Sequence, residues 1–147
     1  MVRIATLSDA EQLNILNEEF NGKDEAAIEH IKDSLLHNEQ ELVVVDEKDG
    51  MLTGFVCIQL KKSFCYDMMT AEITEVYVKS SYRQRGIAKA MITFAEDYCG
   101  RNYPVLKCEL LTGSKNIVAQ SVYNKLGYVD DNEIHLSKKI ANPPKVN

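Results

Sequence analysis

The sequence predicts an α/β protein with one mixed sheet, mostly antiparallel but containing one parallel strand pair. Strand-like runs at residues 41–45 and 52–60, joined by a polar turn, predict an antiparallel hairpin. Between residues 71 and 111 a strand, a helix and another strand follow one another, which predicts parallel pairing through a right-handed crossover. A chain of 147 residues with 45% hydrophobic content suits one core, so we expect a single domain over residues 1–147.

A short strand over residues 2–6 and two helices precede the hairpin. The run Ser8-Asp9-Ala10-Glu11 has the pattern of a capping box and predicts the start of the first helix, which ends at Asn21-Gly22. The second helix is predicted to begin near Asp24. Apolar residues recur at helical spacing in both and are expected to form one packed face of each helix: Leu13, Leu16 and Phe20, then Ile28, Ile31 and Leu35.

The hairpin turn is predicted at residues 46–50, with a bulge marked by Gly54, and residues 61–69 form a loop or a strand extension. The crossover helix is predicted from Gly86 to about Tyr98. Gly100 is expected to stop it, and Pro104 bars any continuation.

The last helix is predicted after a turn at residues 112–116 and ends at Gly127. Residues 133–140 alternate between apolar and polar side chains, which predicts a final strand. Residues 141–147 are predicted to be a flexible tail.

Composition excludes several classes of protein. A net charge of −5 and a pI near 5.2 argue against nucleic acid as the main partner. The four cysteines form no C-x-x-C pair and only three histidines are present, so no metal site is expected. The N-terminus lacks an apolar signal region and no apolar run reaches transmembrane length, so we expect a cytoplasmic protein without a membrane partner.

The basic turn, residues 83–89, lies between the predicted strand at residues 71–78 and the crossover helix. A helix N-terminus presents unpaired N–H groups, so phosphate placed against residues 84–88 could accept several hydrogen bonds. Gly86 permits close approach of the backbone, and Arg83, Arg85 and Lys89 supply positive charge. The alternative is an ordinary strand-to-helix turn with solvated basic side chains.

No P-loop or dinucleotide fingerprint is present, because Gly86 has no partner glycines. The run Arg83-Gln84-Arg85-Gly86-Ile87-Ala88 instead resembles the [RQ]-x-x-G-x-[GA] signature of the GCN5-related N-acetyltransferases (GNAT superfamily). A second pattern, Asn116-x-x-Ala119-x-x-x-Tyr123-x-x-x-Gly127-Tyr128, resembles the same family. Ala88 stands where many members have glycine, a variation that the family pattern tolerates.

The resemblance implies a GNAT-like fold that binds acetyl-CoA as cosubstrate, with a splayed parallel strand pair. It implies that the main chain of Val76, Tyr77 and Val78 binds the pantetheine arm. It also implies that Tyr123 is the general acid beside the sulfur. The remaining cofactor-binding positions that it implies are Arg83, Gln84, Arg85, Gly86, Ile87, Ala88, Lys89 and Asn116, with Tyr123 also counted among them. The alternative for Tyr123 is a helix tyrosine that packs with Leu126.

The strand at residues 71–78 breaks its two-residue alternation between Ile73 and Val76, which is typical of a β-bulge. A bulge frees a backbone N–H, similar to the donor that receives the thioester carbonyl in the family. The alternative is that Glu75 only faces solvent. The predicted base is Glu75, with Glu72, Glu109 or water left open.

The resemblance therefore implies an N-acetyltransferase that moves an acetyl group to a primary amine of a small molecule or peptide through a tetrahedral intermediate. The alternative is a non-catalytic acyl-CoA-binding regulatory module. The sequence identifies neither the acceptor nor the acyl-chain preference, and a homodimer is left open.

Overall fold

The computed structural model describes residues 1–142, and in this part of the chain five strands form one sheet in the order β1-β2-β3-β4-β5. The first four strands pair antiparallel, and β4 pairs with β5 in parallel. The predicted mixed α/β fold is confirmed. The elements are β1 (Val2–Ile4), α1 (Ala10–Asn21), α2 (Ile28–His37), β2 (Glu41–Lys48), β3 (Met51–Lys61), β4 (Met69–Val78), α3 (Ile87–Asn102), β5 (Val105–Leu110) and α4 (Ile117–Lys125).

Helices cover both faces of the sheet, because the central strands β2 and β3 bury apolar side chains on both sides. The larger core lies under α3 and α4, where Met91 and Ile92 are fully buried against strand residues such as Val56. The smaller core lies under α1 and α2 and contains Leu16 and Phe55. None of the helices within residues 1–142 is both long and apolar enough to cross a membrane.

The predicted bulge at Gly54 is confirmed, since the register of β2 with β3 shifts so that Thr53 has no partner. A Cβ atom at Gly54 would lie 2.4 Å from the Tyr77 carbonyl oxygen and 3.1 Å from the Met91 methyl group. Only glycine permits this close approach. The lack of a side chain at Gly54 therefore lets the Tyr77 carbonyl group of β4 and the Met91 side chain of α3 lie close to β3.

The predicted bulge in β4 is also confirmed. Cys57 of β3 is opposite Glu75, whereas the next residue, Ile58, is opposite Ile73, so Thr74 is the extra residue. The bulge restores the alternation of faces after Thr74. Ala71, Ile73, Val76 and Val78 all face the α3 core, so Glu72, Glu75 and Tyr77 share the opposite face, under α1 and α2.

The N-terminal capping box is formed by different residues from those predicted. Asp9, not Ser8, closes the turn: its carboxylate accepts the Thr6 N–H at 2.7 Å and pairs with Arg3 at 2.7 Å. This ion pair lowers the pKa of Asp9. A 3₁₀ turn at Leu7–Asp9 consequently precedes α1, which begins at Ala10.

Two helix boundaries also differ from prediction. The second helix begins at Ile28 and not near Asp24, because Asp24 has a φ of 63°, which a right-handed helix cannot contain. Gly100 does not stop α3, which continues to Asn102. Burial of Cys99 and its neighbours against the sheet outweighs the weak helix propensity of one glycine, and Pro104 then bars continuation.

The strand predicted at residues 133–140 is wrong, because these residues have no regular secondary structure and are exposed. Alternation forms a strand only where another strand supplies hydrogen-bonding partners. Residues 133–140 pair with no strand in the part of the chain that the structure describes. Of the predicted tail, residues 141–142 are exposed and irregular, and residues 143–147 lie outside the described range.

Candidate active site

The two parallel strands diverge at the centre of the sheet. β5 pairs with β4 only as far as the Ile73–Leu110 pair, whereas β4 continues along β3 to Val78. The outer edge of β4 beyond the bulge is therefore not covered by β5. This edge includes Val76, Tyr77 and Val78, and main-chain groups there can hydrogen-bond to an extended ligand as another strand would.

The basic turn follows directly and has an unusual backbone. Gln84 and Gly86 both have positive φ, at 61° and 75°. Left-handed residues within a turn direct successive N–H groups toward one side, an arrangement that binds anions. Gly86 is the N-cap of α3, and no side chain within residues 1–142 caps this helix start. The first N–H groups of α3, from Ile87 to Lys89, are therefore available to phosphate.

The three basic side chains of the turn have different surroundings. The Arg83 Nε donates to the Val78 carbonyl oxygen at 3.0 Å, so this residue fastens the turn to the end of β4. The Arg85 guanidinium lies 5.3 Å from the centre of the Tyr82 ring. Lys89 is exposed in the first turn of α3. Arg85 and Lys89 are thus freer than Arg83 to bind phosphate oxygens.

A pocket opens on the other face of the sheet, between the sheet and helices α1 and α2. We call it the helix–sheet pocket. Its volume is about 160 Å³. Most of its lining is apolar, and the residues that line it are Leu13, Asn17, His30, Ile31, Ser34, Leu35, Glu41, Val43, Phe55 and Cys57.

Glu75 lies beside this pocket, because Val43, Cys57 and Glu75 are cross-strand neighbours on β2, β3 and β4. Burial raises the pKa of Glu75, and the negative charge of Glu41 raises it further. Burial, together with the same two carboxylates, also raises the pKa of the Cys57 thiol. A carboxylate with a raised pKa beside an apolar pocket is suited to accept a proton or to bind a cation.

The structure separates the three candidate bases. Lys61 forms ion pairs with Glu72 at 2.9 Å and with Glu109 at 3.1 Å. Glu75 has no ion pair with any residue that the structure describes. Lys61 therefore already pairs with the carboxylates of Glu72 and Glu109, whereas no described residue forms an ion pair with Glu75.

Tyr123 of α4 is half-buried and packs against the apolar cluster that also receives Val76 and Val78 from β4. Burial raises its pKa, so the hydroxyl keeps its proton at neutral pH. Asn116 caps α4: its Oδ1 accepts the Ala119 N–H at 3.2 Å. The asparagine of the second motif therefore has a clear structural role in starting the helix that carries Tyr123.

Three features of the site were not predicted from the sequence. Glu41 and Cys57 were predicted only as positions in the strand-like runs 41–45 and 52–60, yet both line the pocket beside Glu75. The Tyr77 hydroxyl donates to Glu19 of α1 at 2.9 Å, and its ring packs on Phe20 at 5.1 Å. These contacts depend on strand register and helix placement, which no local pattern indicated.

Comparisons with known proteins agree with this geometry. The model of the acetyltransferase (GNAT) family matches residues 9–128. A search of curated proteins found no match. The solved structures with a similar fold include a ribosomal-protein-alanine N-acetyltransferase from Brucella melitensis biovar Abortus 2308, which is 18% identical with a TM-score of 0.79 over 95% of this chain and 99% of that one.

Two aminoglycoside acetyltransferases share the fold more closely. AAC(6′)-Iy, in complex with the bisubstrate analogue CoA-S-monomethyl-acetylneamine, is 20% identical with a TM-score of 0.83 over 96% of this chain and 98% of that one. The enzyme meta-AAC0020, from an uncultured soil metagenomic sample and in complex with sisomicin, is 14% identical with a TM-score of 0.83 over 96% of both chains. At these identities the likeness shows a common fold.

Proposed function

The chain belongs to the acetyltransferase (GNAT) family, and from that premise we propose that it transfers the acetyl group of acetyl-CoA to a primary amine. The observation that carries the proposal is the uncovered edge of β4 running into an uncapped helix start, next to Glu75, a carboxylate with a raised pKa that lies beside the helix–sheet pocket. The neighbours named above support an amine acceptor, since they act on an alanine of a ribosomal protein or on aminoglycosides.

Acetyl-CoA fits the residues present. Its pantetheine arm is an extended chain with amide groups, which suits main-chain hydrogen bonds along Val76 to Val78. Its pyrophosphate suits the N–H groups of the basic turn, where a Cβ at Gly86 would meet no atom within 4 Å and so leaves room for phosphate. Arg85 and Lys89 add charge at the same end.

The protein's own groups then handle the protons. When bound, acetyl-CoA supplies a thioester carbonyl that an uncharged amine attacks: a C–N bond forms, the C–S bond breaks, and the thiolate leaves. Glu75, directly or through water, takes the proton that the ammonium group loses. Tyr123 gives its hydroxyl proton to the sulfur and recovers one from the nitrogen of the tetrahedral intermediate, which leaves a neutral amide. Main-chain N–H groups next to the bulge stabilise the oxyanion.

The helix–sheet pocket supports a narrower proposal for the acceptor class. Leu13, Ile31, Leu35, Val43 and Phe55 offer an apolar lining, while Glu41 and Glu75 offer negative charge at the sheet. An amine carried on an apolar group meets both requirements. A volume of about 160 Å³ holds one such group and leaves the rest of a larger acceptor outside. We therefore expect an apolar amine or a peptide N-terminus with an apolar side chain.

The test is product formation. The purified protein is incubated with acetyl-CoA and either 2-phenylethylamine or ethanolamine, and the acetylated amine and free CoA are followed together by mass spectrometry. We expect amine-dependent release of CoA in equal amount to product. The value of kcat/KM should be roughly 10- to 100-fold higher for 2-phenylethylamine, as expected for burial of an apolar group.

One result would count against acetyl transfer, and another would count against the role of the pocket. Tight binding of CoA with no acetylated product from a broad set of amines would identify a binding module. Equal kcat/KM for the two amines would remove the helix–sheet pocket from acceptor recognition while leaving acetyl transfer intact.

A further inference from the structure

Tyr77 lies in the part of β4 whose outer edge is uncovered. Its carbonyl oxygen faces β3, where a Cβ at Gly54 would lie 2.4 Å away from it. Successive residues of a strand direct their main-chain groups to opposite edges, so the C=O of Val76 and the N–H of Val78 point outward. The two peptide planes that carry these groups meet at the Cα atom of Tyr77. The orientation of Tyr77 therefore sets the orientation of both groups.

The side chain of Tyr77 extends to the other face of the sheet, where it contacts the end of α1. Its hydroxyl donates to Glu19 Oε2 at 2.9 Å. The centre of its ring lies 5.1 Å from that of Phe20 and 6.0 Å from that of Phe55. Burial and the hydrogen bond to Glu19 both raise the pKa of Tyr77, so the hydroxyl remains a donor at neutral pH.

The carboxylate of Glu19 contacts two residues at the end of the strand. While Oε2 accepts from Tyr77, Oε1 lies 3.6 Å from the Lys79 Nζ. Tyr77 and Lys79 are two residues apart, so their side chains leave the strand on the same face. Glu19 thus joins α1 to the last residues before the basic turn.

This end of β4 has little other support. Beyond the bulge, β4 pairs with β3 alone among the strands within residues 1–142. By contrast, α1 is held firmly in the smaller core, where Leu13 and Leu16 are 6% and 2% exposed. A hydrogen bond from a well-packed helix therefore restrains a strand end that is paired on one side.

We propose that Glu19 is a positioning residue for the cofactor: it holds Tyr77 so that the outward groups of Val76 and Val78 are already oriented for the pantetheine arm of acetyl-CoA. The inference rests on the proposed function. Glu19 acts through Tyr77 and contacts no part of the cofactor. Groups that are oriented before binding need not be ordered by the ligand, which raises its affinity.

The basic turn has supports of its own. The Arg83 Nε donates to the Val78 carbonyl oxygen at 3.0 Å, and the positive φ angles of Gln84 and Gly86 set the direction of its N–H groups. The Arg83 guanidinium also lies 5.8 Å from the centre of the Tyr77 ring. This ring is kept in every variant below, so loss of the Glu19 contact should weaken binding of the pantetheine arm and leave phosphate binding intact.

The first experiment compares two ligands by calorimetry on the full chain. CoA contains the pantetheine arm, whereas adenosine 3′-phosphate 5′-diphosphate is the same molecule without it. Glu19→Ala should lower the affinity for CoA roughly 10-fold, as loss of a hydrogen bond to a charged group allows, and leave the affinity for the nucleotide unchanged. Glu18→Ala is the matched control. It removes the same charge from α1 about 100° around the helix, so it should leave both affinities unchanged.

The second experiment tests whether the effect passes through Tyr77. Glu19→Gln keeps a side-chain oxygen that can accept from the Tyr77 hydroxyl and loses only the charge, so it should keep most of the affinity for CoA. Tyr77→Phe removes the donor of the same hydrogen bond and should weaken CoA as Glu19→Ala does. Combining Glu19→Ala with Tyr77→Phe should then cost no more than either change alone, because both remove one contact.

Four results would overturn the inference. They are unchanged CoA affinity in Glu19→Ala, equal losses for CoA and the nucleotide, an equal loss in Glu18→Ala, and a loss in Glu19→Gln as large as that in Glu19→Ala. Each of them leaves acetyl transfer by the wild-type chain untouched. A wild-type chain that binds no CoA would instead contradict the proposed function, and the inference with it.

Discussion

The two sides of the proposed active site are built from different parts of the residues: main-chain groups on the cofactor side and side chains in the helix–sheet pocket. The cofactor side consists of main chain from one continuous stretch, the edge of β4 and the basic turn, where the backbone angles of Gln84 and Gly86 set the geometry. The helix–sheet pocket consists of side chains that α1, α2, β2 and β3 bring together. A site made of main chain tolerates many side chains but few changes of backbone. A site made of side chains can alter its ligand by single substitutions.

The largest effect is expected at the cofactor side. Gly86→Glu places a carboxylate where we propose that the turn binds phosphate, and the like charges would repel at short range. We expect CoA affinity, measured by calorimetry, to fall by roughly 100-fold or more while the variant stays folded.

Gly86→Asn is the control for the backbone. Asparagine accepts the left-handed conformation better than most residues, at a cost of about 1 kcal/mol, and carries no charge. A Cβ at this position meets no atom within 4 Å, so neither variant should clash with the protein. If the asparagine variant loses as much affinity as the glutamate variant, the N–H geometry matters and the charge does not. Unchanged affinity in both would mean that phosphate binds elsewhere.

Removal of one oxygen atom tests the proposed role of Tyr123 as the general acid. Tyr123→Phe removes only a hydroxyl from a half-buried ring. We expect kcat to fall by roughly 10- to 1000-fold, the range for loss of a general acid, with the dissociation constant of acetyl-CoA nearly unchanged. Tyr98→Phe is the matched control, since Tyr98 lies on α3 and stacks on Phe94. Near-normal turnover in Tyr123→Phe would leave this tyrosine with packing as its only role.

The pocket side should respond differently. Leu35→Trp fills part of the helix–sheet pocket, so KM for 2-phenylethylamine should rise by roughly 10-fold while acetyl-CoA binding stays the same. Leu36, the next residue of α2, is exposed and does not line the pocket, so Leu36→Trp should behave as the wild type. A change in acetyl-CoA affinity with Leu35→Trp would show that the two sides are not independent.

The same difference explains which features the sequence predicted. The β4 bulge was visible as a break in alternation, and the basic turn as a glycine-containing run between a strand and a helix, because both are determined within a few residues. The sequence favoured Glu75 for its place at the bulge but did not decide the choice among Glu72, Glu75 and Glu109. The choice depends on Lys61, which approaches two of these carboxylates only after three strands have paired in register.

Residues 133–140 show a different limit. Their alternation predicts a strand, but a strand also needs an adjoining edge, and nothing local says which edge is available. The Glu41–Glu75 pair is a similar case, because residues far apart in sequence meet only through the order of β2, β3 and β4. Patterns within one element and pairings of strands that follow one another in the chain were predictable, whereas side-chain contacts between distant elements were not.

The smallest effect concerns the free energy of unfolding. The pKa of Glu75 is raised by burial and by Glu41, so its ionised form is less stable in the folded protein than in the unfolded chain. This cost is absent when both states are protonated, below the ordinary carboxyl pKa, and is complete once the pH exceeds the raised value. Glu75→Gln removes it, so Tm should rise at pH 7, and the rise should vanish as the pH falls below about 4. Glu25→Gln, at an exposed position before α2, should leave Tm unchanged at both pH values. A lower Tm for Glu75→Gln than for the wild type at pH 7 would mean that the surroundings of Glu75 stabilise its carboxylate. The helix–sheet pocket would then have no destabilised carboxylate beside it.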